Sequence, residues 1–280
     1  MAKRTLPVLD PFFLGSVRYV AGALLFVAVL WIAEGRQALR YNGRFLPAAV
    51  YGLFGFTAFN TFLWCGLGYT RPEHAAIIMA LQTPMVALAV WLTRGLRPSG
   101  FTIGCIAAAI GGVFLVVTKG DPRHAFDGGS LLGDVLVFLG AVSWVVYTMA
   151  GAHFSGWSPL RMTVLTCIPG TLGLLAVNAF TLAAGYSSLP SLGEVLSVKW
   201  QLAYFIVFTV VLGVLAFNNG VKLMGALNAM LLLNLIPILV FAIEAGLGRS
   251  FSAIEIGGAM IVVSALAANN FYLRRPARGS

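Results

Sequence analysis

Charged side chains are scarce in this sequence. Asp, Glu, Lys and Arg together make up 10% of its 280 residues, whereas hydrophobic residues make up 59%. A soluble domain typically carries about 25% charged residues, because each of its surface elements needs a polar face. The scarcity therefore excludes a soluble protein. With a mean hydropathy of +0.91, the chain has room for about nine or ten membrane-spanning helices of roughly 20 residues each.

Cysteines and catalytic motifs are scarce as well. The three cysteines, Cys65, Cys105 and Cys167, lie inside apolar runs, which argues against a disulfide framework or a metal cluster. The sequence has no Gly-x-x-x-x-Gly-Lys-Ser/Thr loop, so we do not expect the chain itself to use ATP. It has no His-Glu-x-x-His motif either. We therefore predict no cofactor, no metal and no enzyme, with an intramembrane lipid-modifying enzyme as the weakest alternative.

The net charge of +9 does not indicate nucleic-acid binding, because the basic residues are dispersed in short connectors between apolar runs. Lys and Arg are enriched in the cytoplasmic connectors of membrane proteins. If the C-terminus is cytoplasmic, the inner connectors hold ten Lys and Arg and the outer ones seven. We therefore predict a multi-pass protein of the cell membrane, the bacterial inner membrane, with a cytoplasmic C-terminus. The inverted orientation is the alternative.

Nine apolar segments are separated by short polar connectors. Because backbone groups in lipid must hydrogen-bond within the protein, we expect each segment to form a helix. The predicted fold class is an all-α membrane protein, a polytopic helical bundle. Gly104, Ala108 and Gly112 form a small-residue stripe that favours close helix packing. The predicted spans cover residues 11–33, 46–70, 74–93, 99–118, 130–152, 160–185, 200–223, 226–247 and 253–273.

The sequence also contains an internal repeat. Ala-Phe-Asn at 58–60 recurs at 216–218, and Pro84 has a counterpart in Pro237. Several such matches in the same order are hard to obtain by chance, although any single match between apolar helices is weak. The two predicted repeats are residues 1–118 and 130–273.

The second repeat has five predicted spans and the first has four. The span at 130–152 has no counterpart, because its matched position would lie upstream of Met1. We therefore expect a five-plus-five plan from which the first helix is absent. An odd number of helices per repeat inverts the second copy relative to the first. Inverted repeats are typical of secondary transporters, with the substrate site near the bilayer midplane at the repeat interface.

Several stretches resemble the EamA-type transporters of the drug/metabolite transporter superfamily. Gly-Asp-Val-Leu at 133–136, leading to Ser-Trp-Val-Val-Tyr-Thr at 143–148, is similar to the start of that family's second repeat. His-Ala-Ala at 74–76, followed by Pro84, is similar to its fourth helix. The resemblance covers essentially the whole chain. It implies ten helices in two inverted halves, a central cavity and alternating access, and members that move amino acids, other metabolites, drugs or nucleotide sugars.

Polar residues inside the apolar spans are functional candidates, because polar groups are costly in lipid. Asn60 and Asn218 occupy matched repeat positions. Trp64 lies one helical turn after Asn60 on the same face. Hydrogen bonds between helices explain such amides equally well. The predicted substrate cavity is lined by Asn60, Trp64, Gln82, Trp144, Tyr147, Asn218 and Asn234.

Two charged residues also lie within predicted spans. Glu244 is the one carboxylate deep in a span, and apolar surroundings would favour its protonated form, which suits proton coupling. Simple hydration near the outer surface is the alternative. Arg18 lies about two turns into its span. It snorkels outward, pairs with Asp10 or binds an anionic group, and the first two interpretations are preferred.

The leading functional prediction is a secondary transporter or facilitator that exports small organic solutes, amino acids or related metabolites. A non-transporting membrane scaffold or assembly subunit is the alternative. The expected partners are a small-molecule substrate and the lipid bilayer, without nucleic acid. A homodimer is left open.

Overall fold

A computed structural model describes residues 8–95, 97–118, 120–121, 130–226, 229, 239, 242–243, 245–248 and 251–274. Within these ranges every regular element is a helix. The long helices are numbered here in chain order. They are α1 Pro11–Glu34, α2 Phe45–Leu67, α3 Pro72–Ala80 continued by Gln82–Arg94, α4 Gly100–Thr118, α5 Ser130–Met149, α6 Pro159–Ala183, α7 Lys199–Met224 and α8 Ala253–Arg274.

The lengths of these helices agree with the predicted spans. Six of them (α1, α2, α3, α5, α6 and α7) are long and apolar enough to cross a membrane. Helices α4 and α8 carry shorter apolar stretches, Gly100–Val116 and Ala253–Asn269. Most of the predicted span 226–247 lies outside the described residues. The all-α polytopic fold is therefore confirmed, while the number of nine spans stays a prediction.

Side-chain caps set where two of the helices begin. The Asp10 carboxylate accepts hydrogen bonds from the backbone N–H groups of Phe12 (2.8 Å) and Phe13 (3.4 Å) at the start of α1. Ser158 Oγ accepts one from the Arg161 N–H (2.9 Å) at the start of α6. Each capping residue is followed by a proline, whose missing N–H needs no partner in the first turn. Pro11 and Pro159 thus have the same structural role, at the first position of α1 and of α6.

Many large apolar side chains on these helices are exposed. Ile32 on α1 is 83% exposed and Leu92 on α3 is 82% exposed. Phe114 on α4 and Phe180 on α6 are also exposed. Soluble monomers rarely expose large contiguous apolar patches. Lipid-facing surfaces of a membrane protein account for these side chains.

The chain divides into two compact units, and the boundaries fall inside α2, α5 and α7. Unit 1 comprises Met1–Trp64 with Val146–Leu223, and unit 2 comprises Cys65–Val145 with Met224–Ser280. Each unit contains residues of both predicted repeats. The repeats themselves are a division of the sequence and stay a prediction.

Unit 1 is built where α6 packs against α1 and α2, and where α1 packs against α7. Glycines allow close approach of the helix backbones: a Cβ placed on Gly170 of α6 would lie 2.5 Å from the carbonyl oxygen of Gly52 on α2. Thr57 Oγ1 on α2 donates a hydrogen bond to the carbonyl oxygen of Gly170, at 2.7 Å. Two π-helical segments, Leu53–Ala58 in α2 and Phe205–Gly213 in α7, also belong to this unit. Each lies shortly before the asparagine of a repeated Ala-Phe-Asn sequence.

In unit 2, helices α4 and α8 pack against each other. Their backbones approach at Gly112 and Gly258, where a Cβ on either glycine would lie 2.7 Å from the other's carbonyl oxygen. Apolar side chains, among them Ile77 and Val262, form the core around this crossing. The predicted packing role of the small-residue stripe is thus seen at Gly112. At Gly104 a Cβ would meet no described atom within 4 Å.

Candidate functional site

Asn60 binds the guanidinium group of Arg18 inside unit 1. Both side chains are buried, with 3% and 6% of their surface exposed. Arg18 Nη2 donates a hydrogen bond to Asn60 Oδ1 at 3.2 Å. Asn60 Nδ2 donates to Tyr19 Oη at 3.2 Å and to the Phe56 carbonyl oxygen at 2.7 Å. The amide therefore turns its oxygen toward the cation, and its NH₂ group is held by two acceptors.

Three aromatic rings surround the guanidinium carbon of Arg18. Its Cζ lies 5.4 Å from the ring centroid of Trp64, 5.5 Å from that of Phe205 and 5.7 Å from that of Tyr19. The electron-rich face of each ring attracts a cation, by roughly 0.5–2 kcal/mol per contact. Among the described residues no carboxylate pairs with Arg18. We call Arg18, Tyr19, Asn60, Trp64 and Phe205 the arginine cluster.

Asn218 occupies a comparable setting on α7. It is buried, and its Nδ2 donates hydrogen bonds to Tyr147 Oη at 2.8 Å and to Thr163 Oγ1 at 2.6 Å. Asn60 and Asn218, the two asparagines of the sequence repeat, thus each donate to a buried tyrosine hydroxyl. The settings differ in charge, because only Asn60 accepts a hydrogen bond from a cation.

The Phe56 ring joins these two settings within unit 1. Its centroid lies 5.5 Å from that of Tyr19 and 5.1 Å from that of Tyr147, in edge-to-face arrangements. Such pairs are favoured by the ring quadrupoles. The structure therefore places four of the predicted cavity residues in one continuous polar and aromatic region: Asn60, Trp64, Tyr147 and Asn218. Their part in substrate binding stays a prediction.

The other predicted site residues are not in unit 1. Gln82 and Trp144 belong to unit 2 and are both buried. Gln82 Nε2 lies 3.7 Å from the sulfur of Met79. Asn234 and Glu244 lie outside the described residues. The pairing of Gln82 with Asn234 and the proton-coupling role of Glu244 therefore stay predictions.

The preferred interpretations of Arg18 are wrong. The side chain does not snorkel to a surface, because it is buried in the protein, with only 6% of its surface exposed. Asp10 does not pair with it, because that carboxylate caps the start of α1. The sequence marked Arg18 as unusual because a charged residue lies two turns inside an apolar run. No sequence feature marked Tyr19 and Phe205 as its neighbours.

Unit 2 holds a second set of buried polar side chains in contact with one another. This contact was not predicted from the sequence. Thr70 Oγ1 donates a short hydrogen bond to Asp134 Oδ1, and His74 Nδ1 lies 3.8 Å from the same oxygen. Gly66 and Gly133 allow the end of α2 to approach the start of α5 here. Among the residues that the structure describes, no group of three or more His, Cys, Asp and Glu is placed to hold a metal ion. The contact ties the beginnings of α3 and α5 together.

Membrane-length helices with polar side chains buried inside them define a polytopic helical membrane protein. The chain belongs to the EamA-like transporter family, whose model matches residues 1–118 and 131–271. The resemblance seen in the sequence is thereby confirmed over essentially the whole chain.

Two similar proteins come from Bacillus subtilis (strain 168). The uncharacterized transporter YrdR is 30% identical, over 98% of this chain and 87% of its own length. The uncharacterized transporter YyaM is 29% identical, over 99% of this chain and 90% of its own length. A solved crystal structure with 19% sequence identity superposes with a TM-score of 0.68 and covers 98% of this chain and 93% of that one. At this identity the superposition supports the fold alone.

Proposed function

We propose that the chain is a secondary transporter or facilitator that exports small organic solutes, amino acids or related metabolites, and that it catalyses no reaction. It works by alternating access around a central cavity between two inverted repeats, residues 1–118 and 130–273. Membership of the EamA-like transporter family and the names of the two relatives support the transport class.

One observation carries the choice of a small polar solute. Buried amide, hydroxyl and guanidinium groups lie together with aromatic rings in unit 1, within helices long enough to span a membrane. Polar side chains inside spanning helices typically face a bundle interior or a water-filled path and mark substrate routes. An amino acid offers both polar ends and, in many cases, an apolar side chain that suits such mixed surroundings.

Flux of labelled solutes tests this function. The purified protein is reconstituted in liposomes, and uptake of each L-amino acid is measured by counterflow against an excess of the same solute inside. Saturable counterflow of one or more amino acids, absent from protein-free liposomes, is the expected result. No counterflow of any of them, with the protein shown to be folded, would favour a scaffold or assembly subunit instead.

Two neighbouring asparagines on α7 provide a matched pair of variants for the same assay. Asn218 is buried and bonded to Tyr147 and Thr163, whereas Asn219 is exposed and bonded to the Leu215 carbonyl of its own helix. We expect Asn218→Ala to lower counterflow by about tenfold or more, which corresponds to about 1.4 kcal/mol. Asn219→Ala should leave it near the wild-type rate. Equal rates for the two variants would remove Asn218 from the site.

The predicted orientation can be tested separately from transport. Because the inner connectors carry the larger number of Lys and Arg, we expect the C-terminus in the cytoplasm. A fluorescent protein fused at the C-terminus should therefore be fluorescent, and alkaline phosphatase fused there should be inactive. The same two reporters placed after Leu189, in the connector between α6 and α7, should give the opposite pattern. Active phosphatase at the C-terminus would establish the inverted orientation.

A further inference from the structure

The arginine cluster leaves most of the hydrogen-bonding capacity of Arg18 unused. A guanidinium group has five N–H donors in a planar fork. The described contacts use one of them, from Nη2 to Asn60, and the buried Nε has no acceptor. The rings of Trp64, Tyr19 and Phe205 stabilise the charge through their faces but accept no conventional hydrogen bond from it.

Such an arrangement is costly if it serves the fold alone. A cation buried in a spanning helix without an anionic partner carries an unfavourable desolvation energy of several kcal/mol. An apolar side chain could fill the same place next to Trp64 and Phe205 without that cost. The neutral partner Asn60 offsets only part of it, since one amide oxygen does not neutralise the charge. A ligand that brings one negative charge into the cluster would complete it.

We propose that Arg18 binds the carboxylate group of the transported solute. A carboxylate accepts two parallel N–H bonds from a guanidinium fork, and its single negative charge balances the single positive charge of Arg18. A phosphate carries about 1.5 to 2 negative charges at neutral pH, and the arginine cluster has no second cation to balance the excess over one. The inference rests on the proposed transport function and narrows its solutes to monocarboxylates, free amino acids included.

The aromatic rings give the same site a second property. With Trp64 and Phe205 against the guanidinium, water is excluded from one side of the bound carboxylate, which strengthens a charge-assisted hydrogen bond. Asn60 binds the guanidinium through Nη2 alone and leaves the remaining N–H groups for the ligand. Arg18 is thus the charge-binding residue, and Asn60 is a positioning residue.

Ligand-induced stabilisation tests the inference without depending on flux. Thermal unfolding of the purified protein in detergent is followed with each L-amino acid and with its primary amide, and with benzoate and benzamide as a pair that lacks an ammonium group. Inorganic phosphate is a further probe. We expect one or more acids to raise the unfolding temperature in a saturable way, and their amides and phosphate to have no such effect.

Substitution of Arg18 should remove the preference for the acid. In Arg18→Gln we expect the apparent Kd for that acid to rise about 10- to 100-fold, the range for losing a charge-assisted hydrogen bond. Arg18→Lys keeps the charge but not the planar fork of N–H donors, so its affinity for the acid should lie between those of the wild type and Arg18→Gln. If Arg18→Gln does not fold, Arg18→Lys alone tests the prediction. Arg161→Gln is the matched control. Arg161 also lies over an indole ring, 4.8 Å from the centroid of Trp157, and its Nη2 also donates to a single oxygen, the Arg40 carbonyl. It is partly exposed at the start of α6 and lies outside the arginine cluster, so this variant should retain wild-type affinity.

The outcomes separate this inference from the proposed function. Equal binding of acid and amide, an unchanged acid preference in Arg18→Gln, or stabilisation by phosphate in place of carboxylates would each overturn the carboxylate site. So would the failure of every acid to bind. Counterflow of a solute with no carboxylate would keep the transport function and reject the site. Acid binding lost in Arg18→Gln, without counterflow, would keep the site and reject transport.

Discussion

Replacing Gly112 with leucine is expected to destabilise the protein by about 3 kcal/mol. A Cβ at this position on α4 would lie 2.7 Å from the carbonyl oxygen of Gly258 and 2.7 Å from Cγ2 of Val262 on α8. The first of these atoms belongs to a helix backbone, which cannot yield as the end of a side chain can. The two helices must therefore separate, and the packed core around their crossing, which includes Ile77 and Leu266, is lost with them.

The neighbouring glycine supplies the control for this prediction. Gly111 is exposed, and a Cβ placed on it would meet no described atom within 4 Å. Gly111→Leu should be neutral or slightly stabilising, because leucine has a higher helix propensity than glycine. The free energy of unfolding of both variants can be measured by titration with a denaturing detergent. A cost for Gly112→Leu no larger than that for Gly111→Leu would show that α4 and α8 do not pack through these glycines.

The helices could be predicted from the sequence because the bilayer constrains them so strongly. Backbone groups in lipid must be satisfied within one segment, so an apolar run such as 160–185 has one stable solution, and α6 spans Pro159–Ala183. The ends were less predictable. They depend on local caps, such as the Ser158 hydroxyl bonded to the Arg161 N–H, which periodicity does not show.

The π segments of α2 and α7 could not be predicted at all. An apolar helix and a π-bulged helix have the same hydrophobic pattern, since the bulge adds one residue to a turn without changing composition. Leu53–Ala58 and Phe205–Gly213 are both almost wholly apolar. What the sequence does show is the repeated asparagine that follows each of them, and Asn60 and Asn218 do lie in comparable polar settings.

Four residues of the candidate site were predicted from the sequence by two signals. Matched repeat positions identified Asn60 and Asn218, and spacing along a helix face added Trp64 and Tyr147. The preferred interpretations of Arg18 were wrong because they considered one helix alone. For a single helix, the available partners of a charged side chain are the nearest membrane surface and the nearest acidic residue along the chain. The structure instead surrounds it with Asn60 and Phe205, which lie on other helices and far away in sequence. Contacts of that kind require the packing of the helices and have no local sequence signal.

Replacing Asn60 with alanine is expected to lower the free energy of unfolding by about 2–3 kcal/mol, because it removes a hydrogen bond to a buried charge. Asn218→Ala is the natural comparison, since Asn218 makes two hydrogen bonds to neutral hydroxyl groups, of Tyr147 and Thr163. Its cost should be about 1 kcal/mol. The difference between the two variants measures what the guanidinium of Arg18 adds.

A double-variant cycle locates that difference in one contact. In the Arg18→Met background the cation is gone, and the Asn60 amide retains only its bonds to Tyr19 and to the Phe56 carbonyl oxygen. There Asn60→Ala should cost about 1 kcal/mol, the same as Asn218→Ala, and the coupling energy should be about 1–2 kcal/mol. An unchanged cost in that background would mean that the 3.2 Å contact between Arg18 and Asn60 contributes nothing to stability. The guanidinium would then be held by its three aromatic neighbours alone, and Asn60 would lose its role in positioning it.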